Sequence, residues 1–313
     1  MNNIKKIGLT ALAGSLVATS VAYAGALTAS GSAEMKMTNH SNTSAGKTIG
    51  MGNSVTFVGS GETDGGLNVS MSFEMDQGTE DPGPFDSHSV SIGTDAMGTL
   101  TVHGHGGTNS ASALDGTAAG DYWDNTLIAV GNQPQTAASG NGLVVYTLPS
   151  VVDDLSVAAS YASAGENIDG STAFGATYTG VEGLTVSLGL GTDDSKATGA
   201  DQTTMKAEYA YGSFTFGLSN SDYDHTTGTK DQEISSFKLG YTVNDNISIS
   251  YGEETIEKAS TTSDIEVEGI SASYTSGGMT LGVTSVEATN VDYSATGTHN
   301  DHSFWKVSLG FAF

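Results

Sequence analysis

From residue 26 onward, apolar and polar side chains alternate in sixteen separate stretches. In the first, about Leu27 to Met37, one face holds Leu27, Ala29, Gly31, Ala33, Met35 and Met37, and the other holds Thr28, Ser30, Ser32, Glu34 and Lys36. The third repeats it, with Leu67, Val69, Met71, Phe73 and Met75 set against Asn68, Ser70, Ser72 and Glu74. Period two is the signature of a β-strand whose faces meet different solvents. The same form recurs at Leu184 to Leu190, Met205 to Tyr211, Phe214 to Leu218, Ile247 to Tyr251 and Met279 to Val283. Ile234 is out of phase with Phe237, and Val267 with Ile270, which predicts a β-bulge or a strand boundary displaced by one residue.

The connections carry a second rhythm, long then short. Short ones such as Asp95-Ala96-Met97-Gly98, Asn244-Asp245-Asn246 and Ser276-Gly277-Gly278 hold the residues that accept positive φ or bond their own backbone. Long ones fall near 38–48, 76–86, 105–141, 163–170, 191–202, 219–231, 255–263 and 287–302. Eight long and seven short connections join sixteen strands and leave both chain ends at the short-turn rim. The predicted fold class is therefore all-β: a closed, transmembrane, antiparallel β-barrel of about 16 strands.

Charge placement agrees. Glu34, Lys36, Glu74, Lys206, Glu208, Lys238 and Lys306 lie inside strands, each on the polar side of its alternation. A Lys on the lipid side near mid-membrane would cost ~2–4 kcal/mol. A solvated soluble barrel would segregate charge in the same way. Sixteen strands with Ser, Thr and Gly on half their positions, however, cannot pack a solid core, although they can line a water-filled one. Tyr161, Tyr178, Tyr211 and Tyr241 near strand ends suit aromatic girdles at the two interfaces.

Composition narrows the picture. The chain has 313 residues, 42 Gly, no Cys and no Arg, with a net charge of −25. Lys5 and Lys6, the apolar run Ile7 to Val21 and Ala22-Tyr23-Ala24 read as an export signal spanning 1–24, leaving a barrel domain of 25–313. Without the signal, eight lysines face 35 acidic residues. With no Cys, neither a disulfide nor a lipid anchor is expected. No nucleophile constellation, phosphate-binding glycine loop or basic stripe stands out, so neither an enzyme nor a nucleic-acid binder is expected.

Three stretches carry a family resemblance. The last strand, Phe304 to Phe313, aligns Trp305, Val307, Leu309, Phe311 and Phe313 on one face and stops on Phe. It looks like the closing strand of Gram-negative outer-membrane proteins, in which Trp305, Phe311 and Phe313 would signal to the barrel assembly machinery. Val90 to Gly104, with its tight turn at Asp95 to Gly98, resembles the fourth and fifth strands of general diffusion porins. Gly142 to Pro149 followed by Asp154 to Val157 is similar to their sixth and seventh.

This resemblance implies a homotrimer in the outer membrane of a Gram-negative bacterium, in contact with lipid. Each barrel would pass small hydrophilic solutes and ions by passive diffusion. It also implies that the loop of about 105–141 folds inward as a constriction, facing a basic cluster on the wall. Asp115, Asp121 and Asp124 are the acidic candidates there, with Glu34, Glu74, Lys36, His103 and His105 on the wall and Lys206, Glu208, Lys238 and Lys306 lining the pore. His105 stands where many porins carry Arg, so the basic side is depleted and a mild cation preference is expected. A substrate-selective porin using Tyr122 and Trp123, or a surface barrel without a channel, are the alternatives.

Metal chemistry is sparse. His103 and His105, two apart on one strand face, could chelate a metal if a third ligand joined them. His299 and His302 near Asp301, and the pairs Asp193-Asp194 and Asp222 with Asp224, allow at most a loosely bound divalent cation. No other cofactor is expected.

Overall fold

The computed structural model describes residues 16–17, 25–41, 46–76, 85–126, 128–137, 141–163, 170–194, 199–294 and 301–313. Sixteen strands form the wall. They are β1 (Ala26–His40), β2 (Lys47–Glu62), β3 (Asn68–Asp76), β4 (Ser87–Thr94), β5 (Gly98–His105), β6 (Leu143–Thr147), β7 (Leu155–Ala162) and β8 (Ser171–Val181). The second half comprises β9 (Leu184–Thr192), β10 (Ala200–Tyr211), β11 (Phe214–His225), β12 (Gln232–Asn244), β13 (Ile247–Lys258), β14 (Ile265–Ser276), β15 (Met279–Thr289) and β16 (His302–Ala312). Each pairs antiparallel with the next, and β16 closes on β1 from Phe304↔His40 to Ala312↔Ser32. The last residue completes the seam: Phe313 N donates to Gly31 O (3.0 Å) and Gly31 N to Phe313 O (2.8 Å). Of the expected export segment, only Leu16–Val17 is described, as two residues paired with Ala29 and Thr28.

A closed ring of strands leaves no sheet edge unpaired, which is what lets a sheet sit in hydrocarbon. Among the described residues no helix is long and apolar enough to cross a membrane. The short turns close one rim. At Gly183, φ is +77° and a Cβ would stand 2.3 Å from Ala210 O, so only glycine fits that two-residue turn. The lipid-facing positions are large and apolar: Val186 and Leu188 on β9, Met205 on β10, Phe216 and Leu218 on β11, Leu239 on β12. Tyr178, Tyr211, Phe214, Tyr241 and Tyr274 gather at the short-turn ends of their strands, where an aromatic girdle belongs.

The phase breaks at Ile234/Phe237 and Val267/Ile270 are not bulges. Register runs unbroken through Tyr223↔Gln232 to Phe214↔Tyr241 and through Ile256↔Ile265 to Ile247↔Tyr274. The strands are instead longer than the membrane requires. β10 to β14 hold 12 or 13 residues, against ~9–11 for a crossing strand. Toward the long loops the chemistry of the two faces inverts. Outside, Glu253, Glu268 and Glu287 stand directly opposite one another on three neighbouring strands. The Tyr251 hydroxyl donates to Glu253 and has Glu268 Oε2 at 3.2 Å. Inside, Ile234, Ile256, Ile265, Val267, Val286 and Phe304 form a buried cluster with Tyr122, Ile128, Val291 and Tyr293 from the loops. Here water lies outside and packed protein inside, so the alternation reverses without any change of backbone.

Candidate functional site

The buried inner cluster exists because the loop 106–142 lies inside the barrel. Among its described residues, regular structure is limited to three 3-10 turns, Ser112–Leu114, Tyr122–Thr126 and Val130–Asn132. Its backbone polar groups must therefore find partners on the wall. Ser110 N donates to Ser160 Oγ on β7 (2.9 Å). Gln202 on β10 clasps both limbs of the loop, its Oε1 accepting from Ser112 Oγ (3.3 Å) and Ala137 N (2.7 Å). Lys206 Nζ donates to Gly116 O (3.0 Å) and Thr117 O (3.4 Å). Ala118 N reaches Ser219 Oγ on β11 (2.9 Å) and Ser236 Oγ on β12 (2.8 Å).

Glu254 on β13 is the main anchor. Only 1% exposed, it accepts from Thr117 Oγ (2.5 Å), Tyr122 N (2.9 Å) and Trp123 N (2.8 Å). On β16 a ring nitrogen of His302 donates to Thr126 O. The returning limb is held by Lys258 Nζ to Gly131 O (2.8 Å) and Gln232 Nε2 to Asn132 O (3.3 Å). The loop thus lines the wall from β7 to β16.

The loop carries three carboxylates, none of them fully buried. Asp115 Oδ2 accepts from Gln202 Nε2 (3.0 Å), and burial pushes its carboxyl up to about 6. Asp121, at φ +55°, closes a turn: its Oδ1 accepts from Thr117 N (2.9 Å) and Trp123 Nε1 (3.3 Å). Asp124 is exposed. On β1, Glu34 and Lys36 form a half-exposed pair at 3.7 Å. Lys306 lies diagonally above Lys36, opposite Thr38. Glu74 shares the inner face of β3 with Ser70 and Ser72. Glu208, Gly217 and Lys238 occupy one inward cross-strand row on β10 to β12.

Several expectations change. His103 and His105 do not share a face. Ser89 pairs with His103 and His88 with His105, so the strand bulges at Gly104. His103 stays inward. His105 turns outward, stacks on His88 at 6.5 Å and donates Nδ1 to Asp86 O (2.6 Å). Lys206 faces inward, but its amine is engaged by loop carbonyls. Tyr122 is 5% exposed with its ring against Gly269 and offers solutes no stacking surface. Asp222 and Asp224 face outward, in register with Thr203 and Asp201. Asp193 is buried beneath the Tyr223 hydroxyl (2.9 Å). His299 lies outside the described residues. Among the described residues no group of three or more His, Asp or Glu is arranged to hold a metal. Trp305 and Phe311 face lipid, with Lys47 Nζ 5.8 Å from the Trp305 ring centre.

Sequence reasoning passed over Glu254, Gln202 and Lys258. A signal was present at the first. Glu253 and Glu254 are adjacent, so period two must point one of them inward, onto the face of Ile256.

A closed sixteen-strand wall with an apolar girdle outside and a loop laid across its lumen defines an outer-membrane diffusion channel. A family model described as Gram-negative porin matches residues 8–264, and the chain belongs to that family. Three solved structures show the same fold. A triple mutant of Rh. blastica porin is 15% identical, with TM-score 0.67, covering 92% of this chain and 100% of that one. OmpT of Vibrio cholerae lacking its loop L8 is 14% identical, TM-score 0.70, covering 93% and 100%. A porin refined at 1.8 Å is 19% identical, TM-score 0.68, covering 92% and 100%. No curated protein sequence matches significantly.

Proposed function

We propose that the channel is passive and mildly cation-preferring, sieving small hydrophilic solutes at the opening between loop 106–142 and β1–β5 and performing no chemistry on them. The observation that carries the preference is the loop itself: it presents Asp115, Asp121 and Asp124 and contains no Lys or Arg. Fixed charges at the wide mouth are screened over ~8 Å at physiological ionic strength, whereas those at a narrow passage keep their influence. On the opposite side, Glu34 offsets Lys36, so the basic side is weak. A diffusion channel that discriminates by size and charge needs nothing more. The buried position of Tyr122 counts against an aromatic binding track and hence against a substrate-selective porin.

We further propose a homotrimer. The family points to it, as does the ring stack on the outer face of β2 to β4. That stack runs Phe57–Phe73 (5.2 Å), Phe73–Phe85 (5.2 Å) and Phe85–His88 (6.5 Å). Recognition by the barrel assembly machinery is proposed on the terminal face of Trp305, Phe311 and Phe313. The deciding experiment is a reversal potential across a planar bilayer in a KCl gradient. A cation-selective sign is expected, and an anion-selective one refutes the charge reading.

A further inference from the structure

We propose that the inner wall carries a fitted seat for loop 106–142, built from two adjacent cross-strand rows, and that this seat fixes the free cross-section of the channel and so its size limit. The inference rests on the channel reading. The first row runs Ser219, Ser236, Glu254 on β11, β12 and β13, and its oxygens accept the loop's Ala118, Tyr122 and Trp123 amides. The second runs Gly217, Lys238, Gly252, Gly269 on β11 to β14, two residues nearer the short-turn rim.

The glycines of the second row provide room. A Cβ on Gly217 would stand 3.1 Å from Ala118 Cβ, one on Gly252 2.6 Å from Ala119 Cβ, and one on Gly269 2.5 Å from the Tyr122 ring. Carbon atoms need about 3.5–4 Å. Loop and wall therefore meet without clearance at three glycines of this row, on β11, β13 and β14. The arrangement continues where the loop enters: a Cβ on Gly175 would fall 2.2 Å from Ser110 O and one on Gly189 3.0 Å from Ala111. Isolated strand glycines weaken a sheet. Here β11, β13 and β14 each spend one at the level where the loop crosses. A row of acceptors beside a row of voids holds the loop by hydrogen bonds and sets how deeply it lies. A side chain in place of one of its glycines displaces the loop toward the lumen.

The test compares single-channel conductance and liposome uptake of sugars of increasing size for the purified full chain. The variants are Gly252→Ala, Gly269→Ala, Gly252→Ala with Ala119→Gly, and Gly52→Ala. Gly52 faces the lumen on β2, and a Cβ there meets nothing within 4 Å, so it controls for an added methyl alone. The expected result is lower conductance and slower uptake of the largest permeant sugar in Gly252→Ala and Gly269→Ala. Ala119→Gly should reverse the Gly252→Ala effect, and Gly52→Ala should match wild type. A larger, noisier current in Gly252→Ala that Ala119→Gly quiets also supports the seat, because the loop has then been dislodged from it. Values equal to wild type in both glycine variants, or a change that Ala119→Gly leaves untouched, overturn the proposal. Should Gly252→Ala fail to fold, the milder Gly217→Ala, paired with Ala118→Gly, carries the same comparison. If the wild-type protein itself passes no current, the channel reading fails rather than the seat.

Discussion

Removing Glu254 should release the constriction loop while leaving the barrel standing. Three donors converge on this carboxylate: the Thr117 hydroxyl and the Tyr122 and Trp123 amides. A hydrogen bond to a charged group contributes about 1.5–3 kcal/mol net, and leaving a buried donor unpaired costs about 1–3 kcal/mol. Three such losses do not add simply. In Glu254→Ala, water entering the vacated space recovers part of them, so about 3 kcal/mol is a conservative cost for the loop's seated state. At about 1.4 kcal/mol per decade, the open population rises roughly 100-fold. Glu254→Gln keeps one acceptor oxygen but turns an amide NH2 toward a donor, giving an intermediate effect. The assay is amide hydrogen exchange of the peptide containing Tyr122 and Trp123, in detergent, alongside single-channel noise. Exchange should accelerate by about two orders of magnitude in the Ala variant, with new flicker in the open current. The strands of β1 to β5 should keep their protection. If loop exchange in Glu254→Ala stays within a few-fold of wild type and the current is equally quiet, the hydrogen bonds on β13 do not hold the loop, and the reasoning fails.

Other consequences follow from the same geometry. Burial raises the Asp115 carboxyl to about 6, so it is charged above that pH and neutral below it; cation preference should fall as pH drops from 7.5 to 5, and Asp115→Asn should flatten this step in the reversal potential. An unchanged pH profile in the variant would remove Asp115 from the permeation path. Leu218 is 63% exposed on the lipid face, so Leu218→Lys should cost ~2–4 kcal/mol in urea unfolding from vesicles. Glu268→Lys, by contrast, breaks the like-charge row Glu253–Glu268–Glu287 and should be neutral or stabilising by a few tenths of a kcal/mol; a loss comparable to that of Leu218→Lys would place the acidic row in hydrocarbon. Phe313→Ala keeps the backbone pair with Gly31 but removes the ring beside it. It should lower the yield of heat-modifiable barrel in outer membranes more than it lowers in vitro refolding, and equal effects on both would deny the terminal ring a role in assembly.

The wall was legible in the sequence because lipid imposes a rule that every crossing residue obeys. Leu67 to Met75, Met205 to Tyr211 and Phe214 to Leu218 alternate because one neighbour is always oil and the other water. The rule lapses where the solvents change. At Ile234 and Val267 the inner neighbour is the loop, and at Glu253 and Glu268 the outer neighbour is water, so the same backbone carries the opposite code. Read as one environment, that stretch looks like a bulge. The one bulge that mattered, at Gly104, left no mark on the alternation: His103 and His105 are spaced as face-sharing residues and are separated by a single extra position. The loop was located by its length and by the family resemblance, not by any pattern among its residues. Its anchors were not, because Glu254, Gln202 and Lys258 are polar residues on a polar face, and residue type by itself does not distinguish a carboxylate facing water from one facing three donors. What does distinguish it is company. Glycine two residues before Glu254 and isoleucine two residues after put a void and an apolar contact on a face that elsewhere holds Ser and Thr. A lumen face that turns apolar and small at one level across neighbouring strands marks where something solid rests against it. In this chain that resting body is its own loop, whose Ala119, Tyr122 and Ile128 pack against Ile234, Ile256 and Val267 on that face.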